Sequence, residues 1–290
     1  MENNNIEKKI CLITGANAGI GKAAAVQIAE AGYRVIIGCR NKERGEAALK
    51  EIKEKSKSGD VELMIIDMAS QRSIRAAVDA LAYRQVDALI HNAADFDISR
   101  KTPEFSEENI ETVWATNHLG PVLLTNLLTD RLKQSEQGRV ITVASKGLVM
   151  HPFLKVSLDD PEFKNRPYSV EKAYYQSKLA QVMYTYWLAG ELKDTRITVN
   201  CIRVTNVKID IERYPNLSEK MKSIYAMKSK FAISPEDMAR TYTHLATSPD
   251  LSAVTGKYFD EKNKEVASSG YSKDAKNIAA VMDMTMRYLK

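Results

Sequence analysis

The sequence predicts an α/β protein built on a doubly wound parallel β-sheet, flanked by helices on both faces in three layers. Two observations carry this. Short apolar, β-branched runs alternate along the chain with stretches of helical period. The runs are almost continuously apolar, as strands are when both faces of a parallel sheet are covered. A glycine-rich turn joining the first run to the first helix adds a third.

Taken in order, "KICLIT" (9–14) reads as a strand and "IGKAAAVQIAEAG" (20–32) as a helix closed by Gly32. "RVIIGC" (34–39) is the next strand, and "KERGEAALKEIKEKS" (42–56) a charged helix. "VELMIID" (61–67), "VDALIHN" (86–92), "GRVITVAS" (138–145) and "RITVNCIRV" (196–204) continue the strand series, and "GKYF" (256–259) closes it. No repeat and no linker divides the chain, so residues 1–290 are expected to form a single domain. Two stretches lack a period: 147–173, with Pro152, Pro161 and Pro167, and 205–235, where Pro215 and Pro235 bracket a short amphipathic piece. Both follow strands on the carboxyl edge of the sheet, where ligands bind in such folds, and are candidate walls of a substrate pocket. The tail 271–290 has apolar residues at 275, 278, 279, 282 and 286, the spacing of an amphipathic helix. It is expected to pack on the body; its methionines could instead cover the pocket or meet another subunit.

Composition narrows the function. Hydrophobic residues make up 44% and charged residues 27%, the balance of a globular protein, and the net charge of +5 is spread along the chain. No arginine-rich arm or lysine block points to nucleic acid; the basic balance suits solvated faces or attraction of an anionic cofactor. Cys11, Cys39 and Cys201 are far apart in apolar runs, with no metal-ligand spacing, and read as buried thiols in a reducing compartment. The start, MENNNIEKK, is polar, and no stretch approaches the ~18 apolar residues of a spanning helix, so the expected location is cytoplasmic, without a membrane anchor. His91, His118, His151 and His244 show no ligand spacing and read as structural, with His151 also a candidate for the pocket lining.

"ITGANAGIGK" (13–22) carries the first chemistry. Gly15, Gly19 and Gly21, with Asn17 and Ile20 in the same turn, let the backbone approach a pyrophosphate at a helix N-terminus. The strand–turn–helix–strand context is the one this motif requires. Its spacing is GxxxGxG. Twenty residues after Gly19, where an acid would hold the ribose hydroxyl of NAD, the chain has Cys39 followed by Arg40. A guanidinium there can grip a 2′-phosphate that a carboxylate would repel, so NADP(H) is favoured over NAD(H).

Further motifs follow in a recognisable order. "TGANAGIG" (14–21), Asp67 in "IIDMAS", "HNAA" (91–94), Asn117 in "TNHLG", Ser145 in "TVASKG" and the Tyr174-x-x-x-Lys178 pair resemble the short-chain dehydrogenase/reductase superfamily, classical type, over roughly residues 8–260. "YYQSKLAQ", "SLDDPEFKNRPYS", "GCRN" and "TSPDLSAVTGKYF" look most like its retinol dehydrogenase-like branch. The resemblance implies a Rossmann-type sheet and the catalytic set Asn117, Ser145, Tyr174 and Lys178. It also separates the adjacent tyrosines of "EKAYYQSKLAQ" (171–181), which helical geometry leaves at ~40° and ~60° from Lys178. The family's tyrosine lies four residues before its lysine, so Tyr174 is the acid/base candidate and Tyr175 is expected to pack.

The resemblance further implies that Lys178 lowers the phenol pKa and binds the nicotinamide ribose, that Ser145 donates to the substrate oxygen, and that Asn117 completes a proton path through a water. Asp67 and Met68 would lie near the adenine, Asn92 and Ala93 under its ribose, and the Val207 main-chain N–H on the carboxamide. The implied activity is NADP(H)-dependent hydride transfer between nicotinamide and a carbonyl or alcohol of a moderately hydrophobic small molecule. A homodimer is among the expectations. Retinoid specificity is not, since animal members of that branch usually carry an N-terminal anchor. Two positions depart from the pattern. Ala94 replaces a glycine close to the cofactor, and Val204-Thr205 replace Pro-Gly, so that loop must take another path, with Thr205 or Asn206 available as substitute contacts. A non-catalytic NADP-binding regulator or scaffold, and a C=C reductase, are the alternatives.

Overall fold

The computed structural model describes residues 8–211 and 218–289; Pro215 and the polar start of the chain lie outside the described residues. Seven strands form one parallel sheet: β1 (Ile10–Thr14), β2 (Arg34–Cys39), β3 (Val61–Ile65), β4 (Ala88–His91), β5 (Arg139–Ser145), β6 (Thr198–Val204) and β7 (Lys257–Phe259). Their order across the sheet is β3-β2-β1-β4-β5-β6-β7. The direction of winding reverses between β1 and β4, and the carboxyl ends of those strands open a crevice there.

Alternation along each strand sends side chains to two cores. Cys11, Ile13, Val35 and Ile37 face α1 (Gly19–Glu30), α2 (Lys42–Ser56) and α8 (Pro235–Thr247), where Ala24, Ile28, Ile52, Met238 and Tyr242 are buried with them. Ile10, Leu12, Ile36 and Leu89 face the other way, toward α3 (Gln71–Asp79), α5 (Gly120–Lys133) and α6 (Val170–Glu191). All seven expected strands form, with trimmed ends. The third stops at Ile65 rather than at 67, although Ile66 N–H still donates to Cys39 O (3.0 Å). Pro235, expected to close an irregular stretch, instead occupies the first turn of α8 behind the Ser234 cap, where a missing N–H costs nothing.

A short helix α4 (Thr112–Trp114) runs into α5 through a π-helical turn at Ala115–Leu119. That turn contains Asn117, and π-turns inside helices are frequent at functional sites. The tail forms α9 (Gly270–Lys273) and α10 (Ala275–Tyr288). Met282 joins the second core, and Val281 and Met284 pack with Trp114, Leu179 and Met183. His118 Nε2 lies 2.8 Å from Thr285 Oγ1 and its Nδ1 3.3 Å from Gln181 Nε2, tying α10 and α6 to the π-turn. Burial pushes His118 and His91 down to about 3, so both rings are neutral.

Candidate active site

Two parts make up the site, and backbone geometry dominates the first. The turn after β1 approaches the segment after β4 so closely that a Cβ on Gly15 would lie 2.7 Å from Ala93 Cα, and its φ of +67° disfavours a side chain independently. A Cβ on Gly21 would run into the Asn92 amide and lie 2.8 Å from Gly15 O. Asn92 Nδ2 donates to Thr14 O and Gly15 O (both 3.0 Å), while its Oδ1 accepts from Tyr242 Oη (3.2 Å). Ala93 N–H donates to Thr14 Oγ1 (3.1 Å). Asn92 therefore braces the glycine turn from below.

Above this turn opens a cleft of about 1050 Å³. Every residue expected at the cofactor apart from the catalytic pair lines it: Gly15, Asn17, Gly19, Ile20, Gly21, Arg40, Asp67, Met68, Asn92, Ala93, Ala94 and Val207. Arg40 is exposed just past the end of β2, and Arg44, in the first turn of α2, lines the same cleft. Asn41 holds that helix start by accepting from Arg44 N–H (2.8 Å). Asp67 turns its carboxylate back to its own loop, accepting from Ala69 N–H (2.9 Å). The 204–209 stretch finds its path through a parallel bridge between Val207 and Ile233. The bridge uses Asn206 O and Lys208 N–H (3.0 Å each), not the N–H of Val207. A glycine turn closed to a Cβ at Gly15 and Gly21, a cleft above it and flanking guanidinium groups together fit an elongated phosphorylated cofactor.

The second part gathers around the start of α6. Asn117 is 1% exposed; its Oδ1 accepts from Asp95 N–H (2.7 Å), and its Nδ2 donates to Asp95 O and to Ser177 Oγ (3.1 Å each). Ser177 Oγ donates in turn to Tyr174 O (2.7 Å). Lys178, 2% exposed, donates from Nζ to Val143 O (2.9 Å) on β5 and sits 5.6 Å from the centre of the Tyr174 ring. Desolvation brings its pKa down to about 8. Ser145 ends that same strand, and its Oγ accepts from Gly147 N–H (3.1 Å) as the chain enters a 3₁₀ turn at Lys146–Met150. Asn117, Tyr174 and Lys178 are thus joined through α6, and Lys178 is joined through β5 to the strand that ends in Ser145.

Tyr174 is half-buried against Phe96, ring centres 4.3 Å apart. Tyr175 points to the loop after β5 and packs on His151, ring centres 4.4 Å apart and tilted by 40°. Asp95 and Thr116 line the cleft, so Asn117 has one neighbour in sequence and one hydrogen-bonded partner on its wall. Arg100 holds Asp95 through both oxygens (2.7 and 3.2 Å) and reaches Thr112 Oγ1 (3.1 Å). Sequence reasoning missed Asp95, Arg100, Arg44 and Tyr242. Only Arg44 carried a readable signal, a second arginine one turn past Arg40. Among the described residues no cluster could hold a metal ion, and the three cysteines are free and buried.

The short chain dehydrogenase family profile matches residues 9–156. Human retinol dehydrogenase 13 is 36% identical over 260 residues, covering 88% of this chain and 77% of that protein. The chain belongs to the short-chain dehydrogenase family. Within it, the chain falls in the retinol dehydrogenase-like branch, human retinol dehydrogenase 14 being 33% identical over 273 residues, 89% of this chain and 79% of the relative. An uncharacterised protein from Mycobacterium paratuberculosis superposes with a TM-score of 0.74 at 26% identity, covering 96% of this chain and 92% of that one. A 3-ketoacyl-(acyl-carrier-protein) reductase from Brucella melitensis complexed with NADH shares the fold, with a TM-score of 0.66 at 24% identity over 87% and 96% of the two chains.

Proposed function

We propose that this chain is an NADP(H)-dependent oxidoreductase that interconverts a carbonyl and an alcohol on a moderately hydrophobic small molecule, with Tyr174 as acid and base. The observation that carries the reading is the joined set of Asn117, Tyr174 and Lys178 beside Ser145, since a pure nucleotide binder has no use for it. The twelve cleft-lining residues named above hold the dinucleotide, and Arg40, with Arg44 behind it, takes the 2′-phosphate. When bound, NADP(H) supplies or accepts the hydride at its nicotinamide.

The remaining chemistry belongs to the chain. A free phenol has a pKa of ~10, too high to exchange protons readily at neutrality. Lys178 Nζ, fixed by Val143 O beside the Tyr174 ring, favours the phenolate and lowers the barrier to proton release. With its pKa near 8, Lys178 is still largely an ammonium at neutral pH. Ser145 donates to the substrate oxygen and holds it for Tyr174. In reduction Tyr174 gives that oxygen a proton; in oxidation it removes one. Asn117, buried and locked to Asp95 and Ser177, fixes the turn beneath. Buried free thiols support placement in the cytoplasm, and a homodimer remains part of the reading.

The test is consumption of NADPH and NADH with a panel of ketones, aldehydes, quinones and enones, followed by product analysis. Alcohol formed at the expense of NADPH supports the reading, and a saturated product with its carbonyl intact identifies a C=C reductase. Tight NADPH binding without turnover on any substrate identifies a regulator or scaffold.

A further inference from the structure

Two segments leave the sheet beside the proposed catalytic set. The one after β6 leads to α7 (Glu219–Ser229), and the one after β5 enters its 3₁₀ turn directly from Ser145. Ser145 caps that turn. Its backbone is extended, its Oγ accepts from Gly147 N–H (3.1 Å), and its carbonyl accepts from Tyr258 Oη (3.4 Å). A hydroxyl carries one proton and two lone pairs. With one lone pair taken by Gly147 N–H, the side chain is held in one direction and its proton is left to donate elsewhere. Whatever moves Gly147 therefore moves the Ser145 hydroxyl.

Gly147 is a glycine for want of space. Its φ lies outside the left-handed region, so its backbone conformation admits any residue. A Cβ there, however, would run into Cε1 and Oη of the Tyr175 ring and lie 2.7 Å from its Cζ. That ring is not free to swing aside. His151 packs on it, and Tyr174 meets it edge to face with ring centres 5.4 Å apart at 70°. His151 is itself tied down, its N–H donating to Leu148 O and its carbonyl accepting from Leu154 N–H. Tyr175 thus touches both the Tyr174 ring and the turn that carries the Ser145 hydroxyl. Among the described residues its own Oη meets no hydrogen-bond partner, so the ring is what counts.

We propose that Tyr175 is a positioning residue: its ring, seated on Gly147, holds the turn that aims the Ser145 hydroxyl at the oxygen served by Tyr174. The inference rests on the roles proposed above for Ser145 and Tyr174 and deepens them. The adjacent tyrosines then divide the work. Tyr174 moves the proton, and Tyr175 fixes the direction from which the second hydrogen bond reaches the same oxygen. A site of this kind depends on placement to within about 1 Å, because a hydrogen bond that arrives from the wrong side does not hold the carbonyl for the acid.

The test is kcat, KM and NADPH affinity of Tyr175→Leu and Gly147→Ala, each alone and combined with Ser145→Ala, on a substrate accepted by the wild type. Tyr175→Leu takes the ring off Gly147, and Gly147→Ala drives a methyl into it. Each should lower kcat by about 10- to 100-fold, the scale of a misplacement of about 1 Å, with NADPH bound within about threefold of wild-type affinity. Tyr175→Phe keeps the ring and should keep the rate. Because the effect passes through Ser145, neither change should lower kcat by more than about threefold further once Ser145→Ala is present. Either variant folded and working at the wild-type rate overturns the inference, as do losses that multiply with that of Ser145→Ala; both outcomes leave the reading of Ser145 standing. Ser145→Ala at the wild-type rate, or a wild type that turns over nothing, overturns that reading and the inference with it.

Discussion

The two halves of the site are held by different means. On the side proposed for the cofactor, backbone approaches closely: Gly15 against the Ala93 main chain, and Gly21 against Gly15 O and the Asn92 side-chain amide that grips Thr14 and Gly15. On the side proposed for the substrate, loops leaving β5 and β6 are shaped by side-chain contacts such as His151 on Tyr175 and Asn206 to Lys228. A site fixed by backbone proximity admits few residue types, so it leaves a fixed spacing in the sequence. One fixed by side chains admits many solutions and leaves none.

That contrast ranks the expected effects of substitution. The largest should come from Gly21→Val, which forces a branched side chain into the Asn92 amide. NADPH affinity measured by fluorescence titration should fall by about 100-fold or more, with a lower melting temperature. Retained affinity would mean that the cradle yields. Arg40→Ala should raise the KM for NADPH by about 10- to 100-fold, the range of one charge-assisted hydrogen bond, and leave that for NADH nearly unchanged. A loss shared equally by both cofactors would remove Arg40 from the 2′-phosphate.

Acid stability probes the scaffold beneath both halves. His91 and His118 have folded pKa values near 3 against an ordinary 6.5, so between those values the unfolded chain binds protons that the buried rings do not. Stability therefore falls as pH drops through that window. His118→Gln should flatten the dependence of denaturant midpoint on pH below 6.5, and an unchanged slope would contradict the assignment. The smallest effect belongs to Tyr175→Phe, which keeps the ring on His151. Its kcat should stay within about threefold of wild type and its stability within about 1 kcal/mol.

Legibility in the sequence follows the same division. Strands were readable because apolar runs must fill a sheet covered on both faces, and the glycine spacing marked the cradle. The proposed set Asn117, Ser145, Tyr174 and Lys178 rests on resemblance, since spacing alone left Tyr174 and Tyr175 unresolved. Tyr242 was not readable: its hydroxyl reaches Asn92 across 150 residues of chain, and nothing local distinguishes it from a core tyrosine. The Asp95–Arg100 clamp was hidden likewise, because its value lies in what Asn117 does with the Asp95 backbone. The tail showed its amphipathic period but not its anchor, a neutral histidine meeting Thr285.

The proposed chemistry rests on the proton carried by Tyr174. The most direct measurement is turnover of Tyr174→Phe on a substrate accepted by the wild type, with NADPH affinity measured on the same sample. The expected result is a fall in kcat of about 100- to 10,000-fold, the usual weight of a positioned acid or base, with NADPH bound within about threefold of wild-type affinity. Turnover near the wild-type rate would contradict it.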